Sequence, residues 1–242
     1  MLFRNLLALS LLAGGGAAAA QDVDESALEE MDRDAPKPAP VANEPLAASQ
    51  LRDAMRRIAS SPQDASALTD AGYASLSLGD SNAALNFLTR ANALRPRDAR
   101  ITAGLGEATV RTENPFEALR LFDEAVKLGI DERAIAFDRG LAFDLLGNFA
   151  RAQQDYQLAR SRGVTDELVI RQAISLSLSG QASESDMMLD PLLKRGVPEA
   201  WRTRTFLLAA RGEYRESSKL AQDFVDPSTL PKMQYYLGLM PK

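Results

Sequence analysis

The chain contains no cysteine and no histidine. Without cysteine there can be no disulfide, no thiol nucleophile and no thiolate metal site. The lipidated cysteine of a bacterial lipoprotein is excluded as well. Without histidine the commonest general base is missing, and a Ser-His-Asp arrangement cannot be assembled. Aromatic residues make up only 6% of the chain. That scarcity disfavours a β-sandwich core, whereas abundant alanine favours helices in close contact. The net charge is −5 and no basic block stands out, so nucleic acid is not expected as a partner.

What is present begins with a secretory leader. Arg4 supplies a positive start, Leu6 to Ala13 an apolar run, and Ala18, Ala19 and Ala20 a small-residue cleavage site before Gln21. Residues 1–20 therefore read as a signal peptide, and the mature chain as a periplasmic protein without a transmembrane span. The apolar stretch is shorter than the roughly 20 residues a membrane helix needs; an uncleaved anchor is the alternative. Residues 21–45 are acidic at first and then carry Pro36, Pro38, Pro40 and Pro45. With few large apolar groups to bury, this stretch reads as a disordered linker. Residues 46–64 read as a capping helix with Ala47, Leu51, Met55 and Ile58 on one stripe. Its basic run, Arg52, Arg56 and Arg57, forms a solvated face.

The strongest pattern is a 34-residue period. Stretches beginning at Ala65, Ala99 and Arg133 align without a gap. Gly72, Gly106 and Gly140 hold the eighth place, and Ala84, Ala118 and Ala152 the twentieth. Leu88, Phe122 and Tyr156 hold the twenty-fourth, and Ala91, Ala125 and Ala159 the twenty-seventh. A fixed period of this size signals stacked repeats, here of two helices each. Mid-helix glycine costs about 1 kcal/mol against alanine, so a repeated glycine implies close approach of a neighbouring helix.

Beyond Asp166 the period shrinks. Gly180 and Gly212 continue the turn column of Gly79 and Gly147, Ala173 takes the eighth place, and Ser185 and Ser217 replace the twentieth-place alanines. The run Arg171 to Gly180 alternates like a strand but is in phase with the array, so it is expected to be helix. Pro191 should kink or shorten the helix that contains it. The array spans 65–229, and residues 230–242 form a short closing helix with Tyr235, Tyr236 and Leu237 packed back.

The sets Leu105-Gly106, Ala118, Phe122, Ala125 and Gly140, Phe143, Gly147, Ala152, Tyr156, Ala159 resemble the tetratricopeptide repeat. The resemblance implies an all-α, right-handed solenoid of about five repeats, the last two degenerate. It also implies a concave groove lined by places 2, 5, 9, 12 and 13 of each first helix. Carried onto this chain, the candidate groove residues are Thr69, Tyr73 and Leu76; Arg100, Glu107 and Arg111; Phe137, Leu141 and Asp144. Ile170 and Ile174 extend the surface if the fourth repeat keeps phase. Arg171-Gln172-Ala173 with Ser179-Gly180-Gln181, followed by Leu189 to Leu193, looks like the tetratricopeptide proteins of Flp (Tad) pilus assembly.

Little here carries chemistry. Gly104-Leu105-Gly106 lacks the third glycine and the preceding strand of a dinucleotide site. Asp123-Glu124 falls on a solvated face and Glu29-Glu30 in the linker. No loop has calcium spacing. The expected protein is a non-catalytic, exported scaffold without cofactor or metal. It would hold a protein or peptide of the cell envelope in its groove, in pilus or secretion-apparatus assembly. A general envelope adaptor in division or peptidoglycan upkeep is the first alternative. A carboxylate-dependent hydrolase or metal enzyme is the second, and a buried carboxylate pair in the groove would favour it.

Overall fold

The computed structural model describes residues 45–224 together with Ser228, Leu230, Pro231, Lys232 and Tyr235. The leader, and all of the linker except Pro45, lie outside the described residues. Among the described residues the regular structure is entirely helical. Helix α1 (Leu46–Ser60) leads, and five hairpins follow. They pair α2 (Ala65–Ser77) with α3 (Ser81–Leu94), α4 (Ala99–Arg111) with α5 (Pro115–Lys127), and α6 (Glu132–Leu145) with α7 (Phe149–Arg160). Then come α8 (Asp166–Leu178) with α9 (Ala182–Lys194), and α10 (Pro198–Ala210) with α11 (Tyr214–Phe224).

Local signals start these helices. Asp64 accepts from the Ala67 N–H at 3.0 Å, Asp80 from Ala83 at 2.8 Å, and Asp98 from Ile101 at 3.1 Å. Each satisfies an orphan donor of a first turn. Pro115 opens α5, where its missing N–H costs nothing. Neither α9 nor α10 has a side-chain cap.

The repeated glycines are covered from within their own hairpin. A Cβ on Gly72 would lie 2.5 Å from Leu88 Cγ, on Gly106 2.6 Å from Phe122 Cε1, and on Gly140 2.8 Å from Tyr156 Cε1. The twenty-fourth-place side chain of the second helix thus lies on the eighth-place glycine of the first. Leu88, Phe122 and Tyr156 are fully buried there. In the fourth repeat the pair becomes Ala173 and Leu189, both buried in one cluster. In the fifth it becomes Thr205 and Ala221, also buried. The eighth place grows from glycine to alanine to threonine along the array, and in the fifth repeat the twenty-fourth place falls to alanine.

Some expectations need correction. Met55 is exposed rather than on the buried stripe of α1, which rests on Ala54 and Ile58. Pro191 does not shorten α9, which runs on to Lys194. Of the closing helix, Leu230 packs against the last core cluster but Tyr235 is exposed; Tyr236 and Leu237 lie outside the described residues.

The first helices of consecutive repeats touch one another: α2 meets α4, α4 meets α6, α6 meets α8, and α8 meets α10. They therefore form the inner wall of the stack, with the second helices outside. This wall positions the site.

Candidate functional site

Two adjoining clefts open on the inner wall and share Tyr73 and Arg100. The first, of about 460 Å³, lies between α1, α2 and α4 and is lined by Gln50, Asp53, Arg57, Asp70 and Ser77 among others. The second, of about 240 Å³, lies between α4 and α6 and is lined by Ala103, Glu107, Ile135 and Asp138 among others. A Tyr–Arg stack stands between them. The Tyr73 hydroxyl donates to the Arg100 carbonyl at 2.8 Å, and the Arg100 guanidinium lies 4.9 Å above the Tyr73 ring. Gly104 permits this arrangement, because a Cβ there would lie 3.1 Å from the Tyr73 hydroxyl. Burial pushes the Tyr73 phenol well above its usual range, so it stays a donor.

Charges alternate along the wall. Asp70 accepts from Arg57 at 2.9 Å and from Arg100 at 3.2 Å. Arg111 Nη2 donates to Glu107 Oε1 at 2.9 Å and to Asp138 Oδ1 at 3.4 Å. Arg171 pairs with Glu167 at 3.3 Å and lies 5.1 Å over the Phe137 ring. The middle cluster is the least exposed of the three. Burial first, then the neighbouring Asp138, pushes Glu107 up to about 8. Burial likewise raises Asp138, against the pull of Arg111.

Deeper in the wall, Asp144 is buried and accepts twice. The Tyr156 hydroxyl donates to it at 2.7 Å and the Ser175 hydroxyl at 2.6 Å. Burial raises its carboxyl to about 6.

The structure thus divides the eleven candidate residues. Tyr73, Arg100 and Glu107 line the clefts. Arg111 and Phe137 lie beside them, half-buried, the one holding the carboxylates and the other beneath Arg171. Ile170 and Ile174 are half-buried against the last core cluster. Thr69, Leu76, Leu141 and Asp144 are buried, and a partner cannot reach them. Thr69, for example, donates its hydroxyl back to the Ala65 carbonyl at 2.7 Å.

Asp70, Asp138 and Arg171 belong to the site but were not among those eleven. All three hold the sixth place of their repeats, which Gly104 holds in the second. A column of charges interrupted by one glycine was the signal available.

The buried carboxylate pair is Glu107 with Asp138. A guanidinium already sits on both oxygens. Among the described residues no group of three or more acidic side chains is close enough to hold a metal ion. The Gly104-Leu105-Gly106 run is likewise occupied, by Tyr73 and Phe122.

The architecture defines an all-helical solenoid of stacked hairpins, and its columns make it the tetratricopeptide-repeat fold. No family model and no curated protein matches the sequence. Solved structures do match in fold. A tetratricopeptide repeat protein from Parabacteroides merdae aligns over 78% of this chain and 77% of its own, at 18% identity and a TM-score of 0.59. PilW, a widely conserved type IV pilus biogenesis factor, aligns over 81% of this chain and 98% of its own, at 14% identity and a TM-score of 0.57. Among the described residues no helix is long and apolar enough to cross a membrane.

Proposed function

We propose that the chain is a protein-binding scaffold whose partner lies along the inner wall of the first helices. The observation that carries this reading is the pair of adjoining clefts around Tyr73 and Arg100, lined by alternating charges and small apolar residues. Such a mixture suits an extended or helical segment of another protein. The leader-like residues 1–20 support export to the periplasm. The similarity in fold to PilW and the fourth-repeat resemblance to Flp (Tad) assembly proteins support pilus or secretion-apparatus assembly as the setting. The Gly/ring columns are fully used in packing, so specificity resides in the clefts.

The test is site-specific photo-crosslinking in the native cell envelope. A crosslinker at Ser77, exposed and lining the first cleft, should trap an assembly component. One at Asn86, exposed on α3, should not. Equal trapping from both positions, or trapping from α3 alone, overturns the groove reading. Mass analysis should find the exported chain starting at Gln21.

A hydrolytic reading has one observation in its favour, the raised carboxyls of Glu107 and Asp138. It is second because Arg111 already pairs with both carboxylates. Arg111→Ala is consequently a poor probe of binding. It would leave the half-buried Glu107 and the buried Asp138 unpaired and destabilise the wall.

A further inference from the structure

Two places in every later first helix face back along the array. At the sixth place, Gly104 lies against the Tyr73 ring, Asp138 meets Arg111, and Arg171 covers Phe137. Each of those neighbours stands on the preceding first helix. At the tenth place, Ala108 shares a core cluster with Leu76, Ala142 shares one with Val110, and Ser175 donates to Asp144 at 2.6 Å. In α2 the same two places are Asp70 and Ala74, and both line the first cleft. Among the described residues no first helix precedes them. The other wall is α1. One period back from Ala84, Leu88 and Ala91 stand Gln50, Ala54 and Arg57. In the complete hairpins those places hold the hairpin's own first helix, as Leu88 does by resting on Gly72. In α1 all three line the first cleft. The cleft is thus bounded by the two surfaces that elsewhere enclose a first helix.

The period assigns that position to residues 31–43, but Pro36, Pro38 and Pro40 bar them from a helix interior. Just upstream is a stretch without proline. Val23, Ala27 and Met31 recur every four residues with Leu28 beside them, and Asp22 with Glu25 has the spacing of a capping box. Residues 23–33 equal α11 in length, and 11 residues are too few to hold a helix alone in water. Reach and charge agree. Residues 35–45 join this stretch to α1. As an extended proline-rich chain they span ~34 Å, more than the ~22 Å length of α1. Residues 22–34 carry seven acidic groups and one basic, whereas residues 46–100 carry seven basic and five acidic. The cleft's own carboxylates are paired, Asp70 with Arg57 and Arg100, and Asp53 with Arg56. The attraction is therefore one of overall fields, and an apolar stripe closing on the cleft strands no ion.

We propose that residues 23–33, which lie outside the described residues, dock in the first cleft as the first helix of the leading repeat. Val23, Ala27, Leu28 and Met31 face Ala54 and Ala74, and the acidic side faces water. A proline-rich tether takes the place of the short turn in the other hairpins. This goes beyond the groove reading. A partner that enters the first cleft does so by displacing the chain's own segment, while the second cleft stays open to it.

The experiment uses the full chain, whose lack of cysteine confines nitroxide labels to cysteines that are introduced. Labels at Glu29 and at Met55, exposed on α1, should give one narrow distance below about 20 Å, two helix diameters. Labels at Glu29 and at Glu184, exposed on α9, should give a longer one. Dilution with unlabelled chain should leave the short distance in place. Leu28→Asp with Met31→Asp should broaden it. The same double variant should move the NMR amide signals of Gln50 and Ala74 and leave those of Ala173 and Leu189, in the fourth hairpin, where they are. A broad Glu29–Met55 distribution in the unaltered stripe, or a narrow one that survives the double variant, overturns the proposal. So does loss of the short distance on dilution, which would give the seat to a second copy of the chain. Trapping of a partner from Ser77 is a separate result, and the groove reading survives on it if this docking fails.

Discussion

The first three hairpins and the last two solve one packing problem with opposite parts. In the former, a glycine on one helix receives a large side chain from the next: Gly72 with Leu88, Gly106 with Phe122, Gly140 with Tyr156. In the latter, Ala173 meets Leu189 and Thr205 stands opposite a mere Ala221. The polar residues follow the same split. The twentieth place is alanine in the regular hairpins and buried serine in the others, where Ser217 donates to the Thr205 carbonyl at 2.8 Å. Both places stay buried in every hairpin although the residue types change, so a degenerate sequence need not be a degenerate structure.

The largest break in this symmetry should come from emptying a large knob. Phe122→Ala should lower stability by about 3–5 kcal/mol, and Ala221→Gly by about 1 kcal/mol, both read from urea unfolding. Equal losses would show that the two halves do not differ in this way. Next in size is filling a hole. Gly140→Leu should overpack the third hairpin and cost about 1–3 kcal/mol, and an unchanged melting temperature would refute the packing account. A more pointed version turns the second hairpin into the fourth. Gly106→Ala should destabilise alone but be largely relieved by Phe122→Leu, with a coupling of about 0.5–3 kcal/mol in the double-mutant cycle.

Acid should act in the opposite sense to the common case. Asp144 has its carboxyl raised from 3.8 to about 6, so the folded chain binds a proton that the unfolded chain releases between those values. Its contribution to stability is greatest below pH 4, is lost as pH rises through 6, and stays lost above. Glu107, raised from 4.5 to about 8, adds a loss of the same sign between those values. Asp144→Asn should reduce the slope of the stability curve between pH 4 and 6, and an unaltered slope would locate the effect elsewhere. The smallest effect belongs to the turn column, where Glu113 stands at φ 61° among glycines such as Gly79 and Gly147. Glu113→Gly should stabilise the second hairpin by about 0.5–1 kcal/mol in the same urea assay.

The fold was legible because its columns are geometric. A glycine every 34 residues states where a helix is crowded, and the turn column of Gly79 and Gly147 marks where the hairpins reverse. The site was legible only in part, because one helix serves two faces. Place 5 carries the buried Thr69 in the first repeat and, two repeats later, the half-buried Phe137 beneath Arg171. Which of them reaches the open face depends on the curvature of the stack, which no single repeat encodes. The sixth place was overlooked because Gly104 interrupts its run of charges. That glycine yields space to the Tyr73 ring of the previous repeat, a relation visible only across repeats. The strand-like alternation from Arg171 to Gly180 is helix because Ala173 and Leu176 face the core three residues apart, a helical spacing.

Asp144 has a consequence for how a partner is met. Its two oxygens join α6, α7 and α8, so the third hairpin and the start of the fourth are fastened together by one buried carboxyl. Phe137 and Ile170 stand on the two helices so joined. The joint between those helices is built into the fold itself, so on the groove reading the entropy of ordering falls mainly on the incoming segment.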